Sequence, residues 1–194
     1  MFLEDSTARL VFHCVRRLKF PELEVEVAEG NLSWTSLLTI ANEFPQYLAS
    51  SLIVLDPDVR QEPRSTLEKQ LQKSIFRYPD ETMLRPGDRH LLFLPGDKAV
   101  ETMMYEFYLN AGEELDVYRR ENLKKFRVNH GSLINMDAAP KDKDPLGRHK
   151  WWFQEIPTPV REEVVTYWLE AGNLDLDSFE KTFRKNYEIA KKFT

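Results

Sequence analysis

The stretch Ser51-Leu-Ile-Val-Leu-Asp-Pro-Asp58 decides the fold, because an uninterrupted apolar run ends in two aspartates. A continuous apolar run is typical of a central strand in a parallel sheet, which is buried on both faces. Proline cannot continue a strand ladder, so the strand should end before Pro57 and deliver Asp56 and Asp58 to its carboxyl end. Residues two apart in an extended segment project to the same side, so both aspartates can face one ligand.

The start of the chain repeats this arrangement, since Met1-Phe-Leu-Glu4-Asp5 places two acidic residues after a short apolar run. Outward from these two stretches, apolar periodicity predicts alternating strands and helices with short connections. The predicted strands are residues 1–4, 23–27, 52–55 and 90–94, and the predicted helices that follow them are 7–18, 33–44, 65–76 and 99–109. This order predicts an α/β fold with a doubly wound, mostly parallel sheet and right-handed crossovers over residues 1–112. Residues 113–194 are predicted to form a helical C-terminal extension, with a polar loop at 128–149.

The composition indicates one globular domain with an appendage. A length of 194 residues and a hydrophobic fraction of 42% allow a packed core. The net charge of −5 gives no general attraction to nucleic acid or to an anionic membrane. The single cysteine, Cys14, is expected in the core of a helix and indicates a reducing, cytoplasmic compartment. No apolar run of about 18 residues is present, so no membrane span is predicted. The unusually short first strand suggests that the chain is a piece of a longer protein.

Acidic residues recur at three predicted strand ends: Glu4 and Asp5, then Asp56 and Asp58, then Asp97 and, one helical turn later, Glu101. The carboxyl ends of parallel strands share one edge of the sheet, where open α/β folds bind ligands. Carboxylates brought together repel, and a divalent cation such as Mg²⁺ or Mn²⁺ can neutralise them. Each residue also has a structural interpretation, because Asp5 and Asp97 can cap helices and Glu101 can be a solvated helix residue.

Other chemistries find little support in the sequence. There is no glycine-rich P-loop, and no histidine or cysteine spacing suggests zinc. His13 is expected to pack within the first helix, His90 to begin a strand, and His130 and His149 to lie in loops.

In order and spacing, these motifs resemble the Toprim domain of the OLD (overcoming lysogenisation defect) nuclease class, which is found fused to or beside ABC-type ATPases. The resemblance covers roughly residues 1–110 and rests on a glutamate after the first strand, a glycine turn after the second, and Asp-x-Asp after the third. The matching stretches are Phe2-Leu-Glu4-Asp5, Glu29-Gly30, Leu55-Asp-Pro-Asp58, Leu94-Pro-Gly96 with Glu101, and Arg148-His-Lys150-Trp-Trp. The first motif departs from the family pattern Glu-Gly-x-x-Asp, because Asp5 and Ala8 stand at its glycine and second acidic positions.

The resemblance implies an Mg²⁺- or Mn²⁺-dependent endonuclease that cleaves DNA or RNA, acting with an ABC-type ATPase domain or subunit in defence against phage. It implies that the metal is held by Glu4, Asp56, Asp58 and Glu101. It implies further that Lys150 stabilises the transition state, with Asp5, Asp97 and Arg148 as additional site residues. The expected location is cytoplasmic, with no membrane partner; the sequence leaves the oligomeric state open and allows a homo-oligomer.

Two alternatives stay open at the level of sequence. A receiver domain of a two-component system has the same sheet type, an acidic pair after its first strand and a phosphorylated aspartate after its third, here Asp56. The loop Val59-Arg-Gln-Glu-Pro63 does not resemble that of a receiver. A catalytically inactive Toprim scaffold for an ATPase partner is the second alternative, which the altered first motif favours.

Overall fold

A computed structural model of the chain describes residues 1–43, 50–61, 91–130 and 143–192. The chain divides into two compact units, one of Met1–Asp97 with Asp175–Thr194 and the other of Lys98–Leu174. We call them the sheet unit and the helical unit. The predicted helix at 65–76 lies outside the described residues, and so does His90.

The sheet unit contains three short strands and, in its described part, three α-helices and a 3-10 helix. They are β1 (Phe2–Leu3), α1 (Ser6–Lys19), α2 (Trp34–Glu43), β2 (Ile53–Leu55), the 3-10 helix Pro57–Gln61, β3 (Leu91–Phe93) and, at the C-terminus, α7 (Leu176–Lys191). The helical unit contains α3 (Val100–Glu114), α4 (Val117–His130), α5 (Pro145–Glu155) and α6 (Thr158–Ala171).

The three strands form one parallel sheet in the order β1-β2-β3. Phe2 lies opposite Ile53, which lies opposite Leu91, so the central strand β2 is the apolar run identified in the sequence. A three-stranded parallel sheet together with α-helices confirms the predicted α/β class.

The predicted strand at 23–27 was wrong, because this segment is extended but forms no regular strand. It nevertheless lies beside β1 on the side away from β2. The Met1 ammonium donates to the carbonyl oxygen of Glu26 at 2.7 Å, and the Ala28 N–H donates to the Met1 oxygen at 2.8 Å. This is the donor and acceptor pattern of parallel chains, limited to one pair of bonds. The chain therefore passes from β1 to one side and returns to β2 on the other.

Helix α1 begins directly after β1 because Asp5 caps it. The Asp5 Oδ1 atom accepts a hydrogen bond from the Ala8 N–H at 2.9 Å, which satisfies one of the free donors of the first turn. The helix ends at Lys19, and the Phe20 N–H bonds to the Arg16 oxygen just before Pro21. The side chain of Asp5 is thus used by the helix, as the structural interpretation of this residue predicts.

Both faces of the sheet are covered, as a parallel sheet requires. On one face, Leu37 from α2 packs with Ile53, Leu55 and Val59 in a buried cluster. The partly buried side chains against this cluster are Phe2, Trp34, Leu91 and Phe93. The alternate strand residues Leu3, Val54 and Leu92 are also buried.

Helix α7 packs on α1 through aromatic side chains, which explains why the C-terminus belongs to the sheet unit. The Phe183 ring lies 5.3 Å from Phe12 and 4.6 Å from Phe20, measured between centroids. The compact units therefore differ from the expected division at residue 112. The expected burial of Cys14 is confirmed, whereas His13 is exposed on α1 rather than packed.

The helical unit is built around large aromatic residues. Trp152, Trp168 and Tyr108 are fully buried, and the Tyr108 hydroxyl donates to the Val164 oxygen at 2.7 Å. The prediction of a loop over 128–149 was wrong at both ends, because α4 continues to His130 and α5 begins at Pro145. The start of α5 has a physical cause, since the Asp144 Oδ1 accepts from the Gly147 N–H at 3.0 Å and proline favours the first helical turn.

None of the described helices is both long enough and apolar enough to cross a membrane.

The packing of α7 predicts a large loss of stability when Phe183 is truncated. We expect Phe183→Ala to lower the free energy of unfolding by about 3–5 kcal/mol, because a fully buried ring leaves a cavity. The exposed Lys185 on the same helix provides the control, and Lys185→Ala should change stability by less than about 0.5 kcal/mol. Urea denaturation followed by circular dichroism measures both, and equal stabilities of the two variants would contradict the packing described.

Candidate functional site

The carboxyl ends of β1 and β2 bring Glu4 and Asp56 together. The Glu4 Oε2 atom accepts a hydrogen bond from the backbone N–H of Asp56 at 2.8 Å. The two residues are 52 positions apart in the sequence, so only the pairing of β1 with β2 makes this contact. The predicted convergence of these two acidic strand ends is therefore present in the sheet unit.

The Glu4–Asp56 contact lies between β1 and β2, where the chain connections switch from one side of β1 to the other. From β1 the chain passes to the segment at 26–28 on one side, and β2 pairs with β1 on the other side. In open α/β sheets the crevice at such a reversal, outside the carboxyl ends of the strands, is where ligands bind. We call the strand ends at Glu4, Asp56 and Asp58 the acidic edge.

The Glu4 side chain is held by the Asp56 N–H. It also lies near the backbone of Trp34 at the start of α2, which acts to lower the pKa of this carboxyl group. The main chain of Glu4 is fixed as well, because its oxygen accepts from the Leu32 N–H at 2.8 Å. A carboxylate at a helix N-terminus is favoured by the helix dipole. The geometry of Glu4 is thus set by three segments of the chain.

Opposing effects act on the charge of Glu4. Burial raises the pKa of the Glu4 carboxyl above its ordinary value of 4.5, and the nearby charges of Asp58 and Asp5 raise it further. The hydrogen bonds from the Asp56 and Trp34 backbones act in the other direction but do not cancel the rise in pKa. A half-buried carboxyl group among like charges is an environment that a cation would stabilise.

Asp56 and Asp58 differ in their surroundings. Asp56 is buried, with 6% of its surface exposed, while Asp58 is half-buried in the 3-10 helix. The expectation of an extended segment from Asp56 to Asp58 was wrong, because Pro57–Gln61 forms a 3-10 helix, with a hydrogen bond from the Val59 N–H to the Asp56 oxygen. Asp58 nevertheless lies close enough to Glu4 for its charge to raise the pKa of that carboxyl group.

The remaining acidic candidates have other positions. Asp97 is exposed and lies two residues before Ala99, the N-cap of α3, so it is outside the helix and does not share a helical face with Glu101. Glu101 is 2% exposed in the first turn of α3, which contradicts its interpretation as a solvated residue. Glu101 belongs to the helical unit, whereas Glu4, Asp56 and Asp58 belong to the sheet unit.

The basic candidates lie on α5 in the helical unit. Lys150 is half-buried, and Arg148 donates through Nη2 to the Lys143 oxygen at 3.4 Å. Between them His149 is buried, stacks on Tyr105 with 4.3 Å between ring centroids, and lies 3.0 Å from the Thr102 hydroxyl through Nδ1. Burial lowers the pKa of His149, so this ring belongs to the core of the unit rather than to a loop.

A complete set of metal ligands is not assembled by the described residues. Within 1–43, 50–61, 91–130 and 143–192, no three Asp, Glu, His or Cys side chains are grouped so that they could hold a metal ion. Asp5 is engaged in capping α1, and the Asp56–Asp58 pair is turned by the 3-10 helix. Mg²⁺ needs only one or two protein carboxylates when water and substrate phosphate supply the other ligands, so the acidic edge still fits this cation.

Arginine side chains flank the acidic edge; Arg9 is among the basic residues that the sequence offered weakly for a phosphate backbone, whereas Arg60 was not predicted as a site residue. On one side, Arg9 donates to the Gly30 oxygen and, at 3.0 Å, to the Asn31 Oδ1. On the other, Arg60 donates through Nη1 to the Gly96 oxygen at 2.9 Å. The available signal for Arg60 was its position two residues after the Asp-x-Asp motif, in the loop that follows a central strand.

Comparisons of the chain with protein-family models, curated proteins and solved structures found no match.

The raised pKa of Glu4 predicts a specific pH dependence in metal-free buffer. Because the folded pKa exceeds the unfolded value of 4.5, the folded state binds more protons between these two values. Stability contributed by protonated Glu4 is therefore present at pH values below 4.5 and is lost as the pH rises through the folded pKa. Glu4→Gln cannot ionise, so its stability relative to the wild type should increase with pH across this window.

Urea denaturation at a series of pH values with EDTA measures this difference. The matched control is Glu188→Gln, which removes an exposed carboxylate on α7. The quantity to follow is the free energy of unfolding of Glu4→Gln minus that of the wild type. If this difference stayed constant or fell with rising pH, it would contradict the described environment of Glu4.

Proposed function

We propose that the protein is an Mg²⁺- or Mn²⁺-dependent phosphodiesterase that cleaves nucleic acid at the acidic edge. The observation that supports this most strongly is the 2.8 Å hydrogen bond from the Asp56 N–H to the Glu4 Oε2, at the position where parallel α/β sheets bind ligands. The resemblance of the strand-end motifs to an OLD-type Toprim domain supports the choice of a nuclease over other metal-dependent chemistries.

The donor chemistry of the acidic edge fits a hard divalent cation. Glu4, Asp56 and Asp58 provide only oxygen ligands, which suit Mg²⁺ and Mn²⁺ rather than zinc or copper. Such a cation, bound there, would supply an activated water and charge stabilisation for the leaving oxygen.

The protein residues position the carboxylate ligands. The Asp56 backbone N–H orients the Glu4 carboxylate before any ligand arrives. A site held in this way loses little free energy to reorganisation during the reaction. Half-buried Asp58 is reachable from solvent, so we assign it as the cation ligand on the solvent side, where the substrate enters.

Other parts of the predicted function depend on the resemblance alone. The roles of Glu101 and Lys150, the ABC-type ATPase partner and the defence against phage stay predictions.

The receiver alternative is less well supported by the geometry. A phosphoacceptor aspartate must be reached by a phosphodonor, whereas Asp56 is only 6% exposed. The more exposed aspartate of the pair is Asp58, and its position suits a hydrolytic site at least as well as it suits a receiver. Stable labelling of Asp56 by acetyl phosphate and Mg²⁺ would favour the receiver over the nuclease.

Metal titration and cleavage assays test the proposal together. We expect Glu4→Gln, Asp56→Asn and Asp58→Asn each to weaken Mn²⁺ binding by at least about tenfold, which corresponds to about 1.4 kcal/mol. The same variants should lose cleavage of plasmid DNA or tRNA in Mg²⁺ or Mn²⁺, because each removes a proposed oxygen ligand. Isothermal titration calorimetry and gel assays provide the measurements.

Glu188→Gln is the matched control and should behave like the wild type, while circular dichroism verifies that every variant is folded. Equal cleavage by the wild type and the three site variants would refute the proposed site. Absence of Mn²⁺ binding below millimolar concentrations, together with absence of cleavage, would favour an inactive scaffold.

A further inference from the structure

Arg60 is the one strongly basic side chain that the 3-10 helix places next to the acidic aspartates. It follows Asp58 by two residues, and its Nη1 donates to the Gly96 oxygen at 2.9 Å, just after β3. Its guanidinium carbon lies 4.8 Å from the centroid of the Phe93 ring. The guanidinium group is therefore held by the Gly96 carbonyl, which follows β3, and by the face of the Phe93 ring, which lies on β3.

Among the residues that the structure describes, Arg60 takes part in no ion pair, in contrast to Lys19 with Asp177 and Arg184 with Glu22 and Glu180. Its side chain remains exposed in spite of the contact with Phe93. Guanidinium stays protonated at all ordinary pH values, so a fixed positive charge faces solvent beside the acidic edge.

The order of groups along the carboxyl ends of the strands gives this charge a chemical context. Glu4 follows β1, Asp56 follows β2, and the Gly96 carbonyl that holds Arg60 follows β3. Neighbouring strands are about 5 Å apart, and β3 pairs with β2, so the strand end whose Gly96 carbonyl holds Arg60 is next to the strand end at Asp56. A phosphodiester group that touches a cation at the acidic edge can reach Arg60 with a second oxygen or with the adjacent phosphate.

We infer that Arg60 is a substrate-positioning residue that binds a phosphate of the nucleic-acid backbone next to the acidic edge. This inference rests on the proposed function, because it takes the same edge as the reaction site. The planar fork of arginine suits two oxygens of one phosphate, and its anchoring by Gly96 and Phe93 reduces the entropy lost on binding.

A phosphate-positioning residue predicts a particular kinetic pattern. Arg60→Gln should raise the KM for an oligonucleotide by at least about fivefold and change kcat much less, because the contact is present in both the ground state and the transition state. Arg60→Lys should lie between Arg60→Gln and the wild type, since it keeps the charge and loses the planar fork. Arg119→Gln is the matched control, because it removes an exposed arginine of the helical unit with the same change in net charge.

Two further measurements separate this inference from the proposed function. Fluorescence anisotropy with a labelled mixed-sequence DNA oligonucleotide, at low salt with EDTA, measures phosphate binding without metal or cleavage. Calorimetric titration with Mn²⁺ should give the same metal affinity for Arg60→Gln and the wild type.

If Arg60→Gln bound the oligonucleotide as tightly as Arg119→Gln does, the inference would be overturned, whatever the result of the cleavage assay. Loss of Mn²⁺ affinity in Arg60→Gln would also overturn it, since Arg60 would then support the metal site instead. Failure of the wild type to bind Mn²⁺ and to cleave would instead refute the proposed function.

Discussion

The hydrogen bond from the Asp56 backbone to the Glu4 carboxylate is the contact on which the functional account depends. It joins the carboxyl ends of two adjacent parallel strands, and it exists only because β1 pairs with β2. Hydrogen bonds to a charged group contribute about 1.5–3 kcal/mol, compared with about 0–1 kcal/mol for an exposed ion pair. The Glu4 contact therefore orders this edge more strongly than surface pairs such as Lys19–Asp177.

Charges at the edge are distributed in a way that suits a phosphate ligand. The acidic groups lie at the centre, after β1 and β2, and arginines lie to either side at Arg9 and Arg60. Arg9 is committed to the turn at Gly30 and Asn31, whereas Arg60 is anchored at one nitrogen and exposed. A cation at the centre and a guanidinium beside it would together neutralise a phosphodiester, although the net charge of the chain is −5.

The sequence was sufficient to predict the three parallel strands and the convergence of Glu4 with Asp56, because apolar runs that end at acidic residues or proline are signals of strand ends. The alternating segment at 23–27 has the pattern of a strand as well, yet it forms none. The sequence was also not sufficient to predict the 3-10 helix at Pro57–Gln61, which follows β2. Backbone donors such as the Asp56 N–H are present in almost every residue and leave no sequence signal. The start of α5 did have one, an N-cap Asp144 before Pro145, but the polar composition around it favoured a loop. The contact of α7 with α1 joins residues about 170 positions apart, and no local pattern predicts it.

The central claim is that Glu4 and the Asp56–Asp58 pair share one divalent cation. Paramagnetic broadening of backbone amides by substoichiometric Mn²⁺, in a ¹⁵N-labelled sample, tests it directly because broadening falls off steeply with distance from the ion. The account predicts that the amides of Glu4, Trp34, Asp56 and Asp58 lose intensity first, and that Glu4→Gln removes this selectivity. Early broadening at other acidic positions, with the Asp56 and Trp34 amides unaffected, would contradict it.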